Sequence, residues 1–158
     1  MVIDQDETPL FLGAIHRLLH GAKVTDLLAT ASEAGAAVAS IDDDQAVAAL
    51  APDTLVLTDG RLWATVRFEV PAGSTMVQLA DELLLARPAA RPARLGFAHS
   101  VAQALEQVKP GRVTAVLLPA VDLDLVMTVA RGGGLLPEKA TSFQPKPSLG
   151  SFIRLLDE

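Results

Sequence analysis

The sequence predicts an α+β domain, a mixed β-sheet with helices packed on it, and three observations carry that prediction. Segments of helical periodicity alternate with short β-rich runs along the chain, which favours helices layered on a sheet in two or three layers. Asp59-Gly60 stands between the runs "TLVLT" and "RLWATVRF". That dipeptide is the preferred centre of a tight type I′ hairpin. Finally, 50% of the 158 residues are apolar, enough for one core, while aromatics make up only 4%, so alanine, leucine and valine do the packing. The expectation is one domain over residues 1–158, with no internal repeat.

The elements follow in order. Residues 10–15, "LFLGAI", suit a short strand. "VTDLLATASEAG" sets Val24, Leu27, Leu28 and Ala31 on one helical face, and Gly35 stops it. Residues 36–41, "AAVASI", read as a strand. "DDDQAVAAL" reads as a short helix whose aspartates meet the positive end of its dipole. After the hairpin, Ser74 can cap an amphipathic helix over "TMVQLADELLLA", which ends before Pro88. Residues 87–94, rich in Arg, Pro and Ala, form the best internal linker. "LGFAH" predicts a strand, "SVAQALEQV" a helix stopped at Lys109-Pro110-Gly111, and "RVTAVLL" a further strand. "DLDLVMTVARGGG" is a helix with Asp122 at its start and glycines at its end. "SFIRLL" is the last strand.

Charge narrows the function. A net charge of −6 argues against nucleic-acid partners, which call for a basic surplus, and Arg87, Arg91 and Arg94 are spread along the linker rather than clustered. Zero cysteines exclude disulfides, thiolate metal sites and a cysteine nucleophile. No apolar run approaches the ~18 residues of a membrane span, and the N-terminus lacks the basic region of a signal peptide. The expected setting is therefore cytoplasmic, with no membrane partner.

The stretch "PEKATSFQPK" holds two of the chain's four lysines, Lys139 and Lys146, around the hydroxyls of Thr141 and Ser142. It is not a P-loop. The lysine of that motif follows glycine and precedes Ser/Thr, whereas Lys139 lies between Glu138 and Ala140, and the glycines here end a helix rather than open one. Two ammonium groups and two hydroxyls can still grip a phosphoryl group. A proline-stiffened polar turn explains them as well. In "HRLLH", His16 and His20 stand four residues apart, on one face if the stretch is helical, but lack a third metal ligand. His16-Arg17 suits an anion, and equally a strand-end pair tied to backbone carbonyls. His99 precedes Ser100, a plausible helix cap, with no nucleophile elbow nearby. Asp42, Asp43 and Asp44 resemble a metal cluster, but a helix start explains them more simply.

Taken together, these segments resemble the bacterial and archaeal family called domain of unknown function 1015. Its C-terminal signature, Pro-x-Lys-Ser/Thr-Thr-x-Phe-x-Pro-Lys followed by glycine, is matched by Pro137, Lys139, Thr141, Phe143, Pro145, Lys146 and Gly150. "AIHRLLHG", "LGFAHSVAQALEQVKPG" and "SFIRLL" match in kind and order. Ala140 departs from the pattern, standing where a hydroxyl residue is usual. The resemblance implies a preceding half, related to the ParB-like fold and bearing Asp-Gly-His-His-Arg, which this sequence does not contain.

Relatives of that kind include free-serine kinases, so the resemblance implies phosphoryl transfer from pyrophosphate or a nucleotide. Lys139, Thr141, Ser142 and Lys146 would then bind phosphate, with His16 and Arg17 as a second anchor. The base and any Mg2+ used with the phosphate donor would belong to the other half. No cofactor is expected in this chain, which should be inert alone. The alternative is a non-catalytic interaction or self-association module.

Overall fold

A computed structural model describes residues 11–87 and 91–144. Strand β1 (Phe11–Ala14) runs into Ile15, where the chain leaves one sheet, and resumes as β2 (His16–His20) in another. Helix α1 (Val24–Glu33) leads to β3 (Ala37–Ser40), and the hairpin strands are β4 (Thr54–Thr58) and β5 (Trp63–Arg67). Helix α2 (Met76–Leu79) continues as a π-helical turn, Ala80–Leu85. Then come β6 (Arg94–Ala98), α3 (Val101–Leu105), β7 (Val113–Leu117), α4 (Leu123–Arg131) and β8 (Thr141–Gln144).

The main sheet has the order β3-β5-β4-β7-β2-β6, and β1 and β8 form a separate two-stranded ribbon. The expected α+β class is what is observed. The expected mixed sheet is antiparallel in every described pairing. The reason is topological. Each strand–helix–strand connection skips at least one position, so β6 and β7 run parallel only as second neighbours on either side of β2.

Side-chain alternation divides the core between the two faces of the sheet. Leu19, Leu55, Leu57 and Val116 point to the face covered by Val24, Leu27 and Ala31 of α1 and by Met76, Val77 and Leu84 of the α2 segment. Leu18, Val56, Ala115 and Leu117 point to the other, which Ala46 and Ala104 cover and Trp63 flanks. Helices therefore lie on both faces of the sheet.

Several local expectations change. The hairpin turn spans residues 59–62, because Thr58 pairs with Trp63. Asp59 draws the chain into a wider loop, its Oδ1 accepting from the amides of Arg61 and Leu62 at 3.1 Å each, and only Gly60 there has positive φ. A type I′ turn needs positive φ at both centres. Thr75, rather than Ser74, caps α2, accepting from Gln78 N. The helix expected over 42–50 contracts to a 3₁₀ turn, Asp43–Gln45. Arg94, placed in the linker by composition, begins β6. "TSFQ", read as loop, is β8, because β1 provides it with a partner. The strand expected at "SFIRLL" lies outside the described residues.

Candidate functional site

Arg17 sits on β2 with a side chain only 1% exposed. A guanidinium carries five N–H donors, and a buried one needs a partner for each. Nη1 donates to the carbonyl oxygens of Ile15 and Lys139, both at 2.9 Å. Nη2 donates to Asp81 Oδ2 at 3.3 Å and to the Glu138 carbonyl at 3.2 Å, and Nε donates to Asp81 Oδ1 at 3.5 Å. Phe97, its cross-strand neighbour on β6, lies beneath the guanidinium at 5.2 Å from ring centroid to Cζ.

The result is a clamp on the segment that enters β8. Two successive carbonyls, those of Glu138 and Lys139, are fixed by one side chain. Lys139 takes φ +57°, the one described non-glycine residue with positive φ. For an L-residue that conformation costs about 1–2 kcal/mol, and the clamp offsets it. Lys139 is itself exposed, Thr141 is half-buried opposite Ala14, and Ser142 is 5% exposed opposite Gly13. Ser142 Oγ has no hydrogen-bond partner among the described residues. Lys146 lies outside the described residues.

His16 is 3% exposed, and its Nδ1 accepts the Leu118 amide at 3.1 Å, which assigns the ring proton to Nε2. Burial, reinforced by the neighbouring Arg17 charge, lowers its pKa to about 4. It is a neutral hydrogen-bonding ring near pH 7 rather than a second cation.

Of the two readings of His16-Arg17, this geometry realises the ties to backbone groups. As a direct phosphate anchor Arg17 needs correction, because the loop carbonyls and Asp81 already take its five N–H groups. His20 is four residues along the strand from His16, about 13 Å at the usual rise, too far to share a metal. Among the described residues no group of three or more His, Asp or Glu side chains can hold a metal ion. Ser100 does cap α3, accepting from Gln103 N at 3.1 Å, and the His99 amide donates to Gln103 Oε1.

Sequence reasoning missed Asp81. Its signal was present: in the π-helical turn that continues α2 it falls four residues after Val77 and three before Leu84, both buried, so a carboxylate interrupts an apolar stripe. An acid in that position calls for a buried cation.

The fold is similar to part of that of free-serine kinases. A mutant free-serine kinase in complex with AMP superposes with a TM-score of 0.62 at 13% identity, covering 90% of this chain and 57% of that one. A mutant free-serine kinase in complex with ADP gives 0.61 at 13% identity, with the same coverage. A conserved hypothetical protein from Pyrococcus furiosus gives 0.59 at 13% identity, covering 90% of this chain and 60% of that one. At such identity the likeness is one of fold, and the chain spans less than two thirds of each neighbour. No family model matches the chain, and no curated protein matches it.

Proposed function

We propose that this chain is the phosphate-, pyrophosphate- or nucleotide-binding half of a serine-kinase-like phosphotransferase, related to the domain of unknown function 1015 family. One observation carries the reading: over 90% of its length the chain shares the fold of kinases captured with AMP and ADP. The loop chemistry supports it. Lys139 carries its ammonium group on a backbone whose carbonyl Arg17 holds, with Thr141, Ser142 and Lys146 following within seven residues in sequence. Phosphoryl transfer depends mostly on positioning and charge stabilisation, so a cation carried on a held backbone suits the role. In this reading His16 contributes a neutral Nε2–H, and Arg17 acts as a positioning residue.

The general base and the ligands for Mg2+ come from a second, ParB-like half. This chain alone is therefore expected to bind without catalysing. Pyrophosphate or ADP at ten times its Kd should stabilise the chain by about 1.4 kcal/mol, roughly 3–6 °C in Tm. Lys139→Ala combined with Lys146→Ala should remove that shift. Absence of any shift at millimolar pyrophosphate, AMP and ADP would overturn the assignment. Serine phosphorylation should appear only after mixing with the second half.

The alternative, an interaction or self-association module, has its own support. Phe11 at 66% and Phe143 at 39% exposure set large apolar side chains at the surface of the β1–β8 ribbon, and Leu135, on the segment leading to β8, is 95% exposed. A stable dimer by sedimentation, together with no ligand response, would favour it.

A further inference from the structure

A cavity of about 570 Å³ opens at the end of the sheet where β4 begins and β5 and β7 finish, between the starts of α2 and α4. Its size is that of a small-molecule site. Phe68, Val77 and Leu125 contribute apolar wall, while Asp53, Glu69 and Asp122 contribute three carboxylates. Among the described residues no lysine, arginine or histidine lines it.

That imbalance decides the ligand class. The three carboxylates repel an entering anion, so a phosphate or carboxylate group is disfavoured here; Glu69 and Asp122 are exposed and act through water, whereas the half-buried Asp53 is screened less. The same charges attract a cation, and the apolar wall suits one whose body is apolar. Two of the acids are already engaged by the fold: Asp122 Oδ1 caps α4 by accepting from Asp124 N at 2.7 Å, and Asp53 Oδ1 accepts from Thr54 Oγ1 at 2.8 Å. A carboxylate has several lone-pair sites, so each can accept a further donor.

We propose that this cavity binds a small organic cation, with an aromatic or branched aliphatic body in the apolar part and a protonated amine against Asp53 and Glu69. It shares no lining residue with the Lys139 loop, so the two assignments stand or fall separately.

Three probes of nearly equal shape test it on the full chain: tryptamine, tryptophol and indole-3-propionate, which differ in charge at one end. Binding is followed by titration calorimetry and by the methyl NMR signals of Val77 and Leu125. Tryptamine should bind about tenfold more tightly than tryptophol, moving those methyl signals, and added salt should weaken it. Indole-3-propionate should not bind. Glu69→Gln with Asp53→Asn should bring tryptamine to the tryptophol level. Leu125→Trp, which fills the cavity from a half-buried position, should abolish binding by all three. Equal or tighter binding of the neutral or anionic probe would sink the proposal, as would an unchanged preference in the double variant. So would unmoved methyl signals with millimolar tryptamine.

Discussion

At one end of β2, His16 and Arg17 are almost wholly buried, and every Arg17 N–H has a partner. At the other end His20 meets an exposed arginine: Arg94 Nη2 donates to His20 Nε2 at 2.7 Å across the strand pair. Both histidines have lowered pKa values, His16 through burial and then Arg17, His20 through slight burial and then Arg94 and Lys109. The side-chain chemistry is nearly the same at the two ends. The difference lies in what arrives from elsewhere in the chain. Asp81 and the 138–139 carbonyls close over Arg17, whereas the His20 end stays open to water. A histidine beside an arginine becomes structural only where distant residues complete it.

The comparison breaks most sharply on Arg17. Arg17→Met leaves Asp81 without its cation and orphans three carbonyl groups, and should cost about 3–5 kcal/mol in urea unfolding. The next effect is one of pH. An unfolded His16 titrates near 6.5 but the folded one near 4, so in that window the unfolded chain binds more protons. Stability should fall by about 3 kcal/mol as pH drops from about 6.5 to about 4. His16→Gln should remove that part of the slope, leaving acid effects from other groups, including Asp59. The Asp59 pKa, raised by burial, is lowered overall by the amides of Leu62, Arg61 and Gly111.

Asp81→Asn keeps one acceptor but removes the countercharge of an ion pair whose acid is 34% exposed, and should cost about 2 kcal/mol. A pyrophosphate titration should weaken with it if the clamp positions Lys139, and not if the pair serves stability alone. Ser142→Ala removes a buried hydroxyl with no described partner, so the chain should gain about 1 kcal/mol in stability while losing affinity for pyrophosphate. His20→Ala and Arg94→Ala should each change stability by less than about 0.5 kcal/mol, measured in the same denaturation series. A large loss there would erase the contrast between the two ends.

Much of the framework was legible from local chemistry. Ser100 and Asp122 cap their helices as residue type suggests, and Asp59-Gly60 marks a hairpin. The tight turn was not legible, because the Asp59 carboxylate reorganises the loop through the amides of Arg61 and Leu62. β8 was not legible either. "TSFQ" lacks the length or alternation of a strand and is one only because β1 lies beside it, about 130 residues earlier in the chain. The clamp lies at the same limit. Arg17 and the signature loop are visible as motifs, but their junction joins residues 64 and 122 positions apart. Sequence pattern carries the chemistry of each part and not the distance between them.

The way one run of chain feeds two sheets at Ile15 also sets an order of assembly. Only β4 and β5 can pair through a short loop. β2 lies between β6 and β7, and β1 pairs with β8. Such long closures slow folding relative to local pairing. During synthesis at about 5–20 residues per second, β2 waits roughly 5–20 s for β7, and β1 longer still for β8. The hairpin and α1 are therefore the natural early structure, and the Arg17 clamp is among the last contacts to close. A ribosome-bound chain stalled before residue 137 would expose Leu12 and an unpaired β1 edge, a target for chaperones until the final segment emerges.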